Sequence, residues 1–86
     1  MKTVTLRYFA SIRETVGVGS ETLRTDAPTL AALRDELIAR GGAHAAALAR
    51  GRAVRLALDQ VMAPDESASL PDDGAEVAFF PPVTGG

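Results

Sequence analysis

The sequence predicts an α+β fold, a mixed sheet with one main helix packed across it. Three observations carry that prediction. Residues 3–9 and 76–80 alternate side-chain character in the manner of half-buried strands. One helical stretch carries a single apolar stripe, Leu30, Leu33, Leu37 and Ile38, at i, i+3, i+7 and i+8. The elements run strand, strand, helix and then later strands, and a helix with one apolar side needs one sheet face to cover. At 86 residues the chain is expected to be one domain. A chain of that size buries roughly 60–65% of its unfolded surface, which leaves little room for a deep private active site.

Each element follows from local pattern. In residues 3–9, Val4, Leu6 and Tyr8 face one way and Thr3, Thr5 and Arg7 the other. Residues 10–16 predict a short helix, with Ile12 and Val16 four apart, and Gly17 and Gly19 then interrupt the chain. Residues 20–25 predict a second strand, giving a hairpin-like start. Pro28 precedes Thr29, a good N-cap for the main helix. Arg34, Asp35, Glu36 and Arg40 are expected to decorate its solvent side, and Gly41–Gly42 to stop it. Residues 43–50 are Ala-rich and helical in character, with no predicted place in the fold. Residues 53–58 predict a third strand with Val54, Leu56 and Leu58 inward. Asp59–Gln60 form a turn before a brief strand at Val61–Met62. Residues 63–74, with Pro64, Pro71 and Asp73–Gly74, predict loop. Residues 76–80 form the last strand, with Val77 and Phe79 inward. This order is that of the β-grasp, or ubiquitin-like, fold, whose first and last strands can lie side by side at the centre. Residues 1–80 are thus expected to form the folded domain and 81–86 an extended tail.

Composition excludes several function classes. Apolar residues make up 47% of the chain, too many for a disordered one. The net charge is −2, and no basic stripe is interleaved with aromatics, which argues against a nucleic-acid partner. No apolar run approaches the roughly 20 residues of a membrane span. The start of the chain lacks the apolar segment of an export signal, so a cytoplasmic location is expected. The absence of cysteine removes disulfides, thiolate metal sites and a cysteine nucleophile. The single histidine, His44, is expected to be a helix-flanking surface residue, so no catalytic residue and no metal site is predicted. Asp65, Glu66, Asp72 and Asp73 lie among loop residues and are expected to be solvated turn formers.

The tail is different. Pro81–Pro82 hold the backbone extended at low ordering cost, and Gly85–Gly86 remove every side chain near the carboxylate. Six residues extended at about 3.3–3.6 Å each reach roughly 20 Å from the body. Such a tail can carry a terminal carboxylate through a narrow channel into another protein's active site.

Residues 72–86, DDGAEVAFFPPVTGG, resemble the C-terminal signature of molybdopterin synthase small subunits. The opening VTLRYFASIRETVG and the stretch APTLAALRDEL resemble that family's first strand, short helix and main-helix entry. Two positions depart from its pattern: Asp59 stands where many relatives have Asn, and Ala75 where many have Asp, both in expected turns. The resemblance implies a sulfur carrier and not a catalyst. A ubiquitin-activating-like adenylyltransferase would use ATP to adenylate Gly86, and a sulfurtransferase, acting indirectly, would supply the sulfur of a thiocarboxylate. Residues Pro81, Pro82, Val83, Thr84, Gly85 and Gly86 would then enter the large subunit, where sulfur passes to a cyclic pyranopterin to build the dithiolene of the molybdenum cofactor. No permanently bound cofactor is implied.

A carrier of this kind docks on both activator and large subunit, and strand alternation suggests where. Phe9, Met62 and Phe80 fall on the outward faces of their strands, a candidate partner interface unless a bulge or loop covers them. Three rivals remain: a thiamine-pathway sulfur carrier, a ubiquitin-like protein modifier, and an interaction domain with a passive tail.

Overall fold

The computed structural model describes residues 1–71 and 73–82. Strand β1 (Lys2–Tyr8) leads into helix α1 (Ala10–Val16) and strand β2 (Ser20–Thr25). Helices α2 (Leu30–Ala39) and α3 (Gly42–Leu48) follow, then strands β3 (Arg55–Leu58), β4 (Val61–Met62) and β5 (Ala75–Phe80). The five strands form one sheet in the order β2-β1-β5-β3-β4. β1 and β5 pair in parallel near its centre, and the other pairings are antiparallel. This is the β-grasp arrangement that the element order predicts.

The core lies between one sheet face and the helices. Val4, Leu6 and Tyr8 of β1 meet Val77 and Phe79 of β5, Leu56 of β3 and the stripe Leu30, Leu33 and Leu37 of α2, all buried. Tyr8 stacks on Phe79, with ring centroids 5.7 Å apart. Leu58, expected to be fully inward, is only partly buried, because it sits beside the two-residue edge strand β4. Val54 also packs against the core, but Ala53 and Val54 precede β3, which is shorter than predicted.

The helix boundaries follow their caps. The Thr29 side chain accepts the Ala32 amide at 3.1 Å, capping α2 as expected. α1 ends at Gly17, whose φ of 96° favours glycine and whose amide reaches the Arg13 carbonyl at 2.8 Å. α2 ends at Arg40, and Gly41 both follows that end and caps α3 with φ 75° and ψ −167°, a region open essentially to glycine alone. Residues 43–50 therefore find their place: Ala47 and Leu48 of α3 are buried, and α3 packs on both α1 and α2.

The loop before β5 straps the start of α2. Ala68 and Glu66 accept the amides of Leu30 and Ala31, and Leu70 is buried. Ala75 was expected in a turn, but it is the buried first residue of β5, and Gly74 at φ 94° makes the turn before it. Asp59 and Gln60 do form a tight turn, both with positive φ, and Asp59 Oδ1 accepts the Glu76 amide at 2.9 Å.

Two charged clusters replace expected solvent contacts. Arg34 was expected on the solvent side of α2, yet it is 4% exposed. Its guanidinium donates to the carbonyls of Leu48, Ala49 and Arg52 and to Glu66. The buried arginine satisfies the open carbonyl end of α3. Glu66 is accordingly an ion-pair partner of Arg34 and Arg50, not a free turn former. His44 is not a surface flank either. It lies half-buried on α3 with Nε2 2.8 Å from Glu21, its ring edge-on to Tyr8. Asp73 accepts the Thr3 amide at 2.6 Å, and Asp72 lies outside the described residues.

Candidate functional site: the outer sheet face and the root of the tail

The sheet face turned away from the helices is built by register. Arg7 pairs with Ala78, Ala57 pairs with both Ala78 and Met62, and Arg55 pairs with Phe80. Paired residues share a face, so these side chains stand opposite the core. The Phe9 amide donates to the Phe79 carbonyl at 3.1 Å, which extends the parallel pairing one step beyond Tyr8–Phe79 and sets Phe9 beside Phe80. Phe9 is not itself in the strand: it is the N-cap of α1, and Ala10 follows in the left-handed region at φ 51°. A side chain there costs about 1–2 kcal/mol, the local expense of turning from β1 into α1 just after Phe9.

Phe9 and Met62 are 41% and 48% exposed, and Phe80 is half-buried. The three do not form one tight cluster. Phe9 and Phe80 adjoin at one end, while Met62 lies across β3, about 12 Å from Phe80 by strand spacing and rise. Ala78 and Ala57 floor the gap, giving a shallow apolar strip. Sequence reading missed these alanines, although Ala78 alternates in phase with Phe80. It also missed Val61, which is 69% exposed because the helix layer does not reach the edge strand.

Charge frames the strip. The Arg7 guanidinium lies 5.4 Å from the centroid of the Phe9 ring, and 3.7 Å from the Glu76 carboxylate. A groove beside Phe9 is lined by Thr5, Arg7, Arg13 and Ser20. β5 ends at Phe80, so Pro81 and Pro82 lead directly off the strip. The predicted tail residues Val83, Thr84, Gly85 and Gly86 lie outside the described residues.

Away from this face, the titratable groups serve the fold. Burial opposes ionisation of Glu21, but hydrogen bonds from His44, Arg40 and Tyr8 outweigh it and hold the carboxyl at about 2. Burial, then the bond to Glu21, pushes the Tyr8 phenol up. Among the described residues, no group of three or more His, Cys, Asp or Glu is placed to hold a metal ion. Also among them, no helix is long and apolar enough to cross a membrane.

The sequence model of the ThiS family matches residues 6–86. The chain belongs to that family. A Haemophilus influenzae relative, the "Molybdopterin synthase sulfur carrier subunit", is 43% identical over 79 residues, 92% of this chain and 94% of that protein. Among solved structures, a Haloferax volcanii protein determined in solution superposes with a TM-score of 0.78 at 30% identity, over 99% of this chain and 87% of that one. A chain from the Helicobacter pylori complex of subunits 1 and 2 of molybdopterin-converting factor gives a TM-score of 0.65 at 25% identity, over 98% of this chain and 99% of that one. The ThiS-family match covers both halves of the site, the apolar strip and the sequence leading from it.

Proposed function

We propose that this chain is the sulfur carrier subunit of a molybdopterin synthase. The observation that carries the reading is the 43% identity, nearly end to end, with a relative of that name. A thiamine-pathway carrier would share the family and the fold, and the named relative favours the molybdopterin reading. The likeness to a chain from a two-subunit complex supports a large subunit as partner.

In this reading Gly86 is the covalent carrier. A carboxylate oxygen is a poor leaving group, so the activating adenylyltransferase consumes ATP to make an acyl adenylate. Sulfur relayed from a sulfurtransferase and delivered at the sulfide level displaces AMP, so the acyl C–O bond to phosphate breaks as the C–S bond of the thiocarboxylate forms. The segment from Pro81 to Gly86 then enters the large subunit, where the sulfur attacks the cyclic pyranopterin precursor and water cleaves the resulting thioester, leaving sulfur on the pterin and returning the Gly86 carboxylate. Acid–base groups and the phosphate site belong to the partner, and the subunit holds no cofactor of its own. Phe9, Met62 and Phe80 anchor both dockings, which take place in the cytoplasm.

Intact mass after incubation with activator, ATP and sulfur source tests the carrier step, with sulfur expected in place of one terminal oxygen. Reconstituted transfer to the precursor tests the rest. Deleting Gly86 withdraws the reactive atom by about 3.3–3.6 Å and should abolish turnover, since a misplacement of about 1 Å already costs about a hundredfold. One residue added after Gly86 should do the same. Wild-type turnover from either variant, or Gly86 recovered in isopeptide bonds in place of a thiocarboxylate, would overturn the proposal.

A further inference from the structure

The charged positions on the outer sheet face are Arg7, Arg24, Arg55 and Glu76, three cations to one anion, on a chain whose net charge is −2. Two of these cations bracket the apolar strip at the root of the tail. Arg55 is the register partner of Phe80, on β3, and Arg7 is the register partner of Ala78, on β1. Arg55 is exposed, and no ion pair among the described residues includes it. Arg7 has Glu76 at 3.7 Å, a loose contact that leaves its side chain 44% exposed.

We propose that Arg7 and Arg55 are specificity-determining residues that select a large subunit presenting carboxylates at two matching points around its tail channel. The inference rests on the sulfur-carrier reading and deepens it. Two strand spacings and a two-residue offset put the two Cα atoms about 12 Å apart. The Arg7 guanidinium rests against the Phe9 ring and Glu76, and Phe80 stands on the strand between it and Arg55, so the two cations meet separate anions and not a single phosphate. The strip between them is apolar and needs an apolar counterpart, which a protein surface supplies. A second copy of this chain fits poorly, because pairing this face with itself opposes three cations to three. Charges of this kind at an interface rim act mainly on encounter rate and on rejection of wrong partners.

The test measures association and dissociation rates of the full chain with the large subunit encoded in the same genome, at low and moderate salt. Arg7→Glu and Arg55→Glu should each slow association by about tenfold at low salt while changing dissociation little, and added salt should narrow the difference. Arg7→Lys and Arg55→Lys should retain most of the rate. Exchanging a facing carboxylate of the large subunit for lysine should restore binding of the Glu variants. Unchanged association of both Glu variants, with wild type still binding and delivering sulfur, would overturn this inference and leave the carrier reading standing. Failure of the wild-type chain to bind the large subunit at all would overturn both. Self-association of the wild type through this face would also overturn the inference.

Discussion

Arg34 on α2 donates its Nε hydrogen to the carbonyl oxygen of Leu48, the last residue of α3, at 2.8 Å. The same guanidinium reaches the carbonyls of Ala49 and Arg52, so one buried side chain terminates a helix and fastens the chain that leads to β3. Arg34→Ala strips these acceptors and Glu66 of a buried cation. It should cost about 3–5 kcal/mol, the range for breaking a buried charged pair. Denaturant unfolding measures this, and a loss below about 1 kcal/mol, the worth of one ordinary hydrogen bond, would refute the assigned role.

Glu21 links acid stability to the contact between α3 and the sheet. Its carboxyl is depressed from 4.5 to about 2 in the fold, so its contribution is fully present above 4.5 and is lost as pH falls through about 2. Glu21→Gln should lower the melting temperature at neutral pH and flatten its fall between those two values. A variant whose melting temperature declines as steeply as wild type over that window would show that other carboxylates govern the acid limb.

Phe80 should separate docking from folding. It is half-buried on the outer face, whereas its neighbour Phe79 is fully buried. Phe80→Asp should weaken large-subunit binding by more than about 2 kcal/mol, the scale of an interface hot spot, with little change in melting temperature. Calorimetric titration beside a thermal scan decides this, and an unfolded variant would place Phe80 in the core.

Gly41 tests backbone conformation without packing. A Cβ built there meets nothing within 4 Å, yet φ is 75°. Gly41→Ala should therefore destabilise by about 1–3 kcal/mol through strain alone. An unchanged unfolding midpoint would mean that the α2–α3 junction has another conformation available.

Much of the fold was legible because period and face are local properties. Leu30, Leu33 and Leu37 announced the buried side of α2, and alternation through Val77 and Phe79 announced that of β5. Arg34 departs from expectation because charge by itself predicts exposure, whereas this residue is buried. Its position, four residues after Leu30 and three before Leu37, lies on the apolar stripe, and a charge there was the available signal of a buried cation with partners. His44 and Glu21 are 23 residues apart, and only tertiary pairing of α3 with β2 brings them together. The outward placement of Phe9, Met62 and Phe80 was legible from alternation. Their spacing was not, because it depends on the order β1-β5-β3-β4, which no local pattern encodes.

The central position of β5 has a mechanical consequence. Force applied along the tail, as when a bound segment is drawn back out of a partner, runs along β5 toward its end at Phe80. β5 is hydrogen-bonded on both sides, to β1 and to β3, and those bonds lie largely across the strand axis. The load therefore shears two ladders at once and cannot peel them open bond by bond. A tail rooted on the edge strand β4, which has one neighbour and two residues, would tear loose from its end. Placing the root between two ladders lets the segment be pulled repeatedly while the body that carries it stays intact.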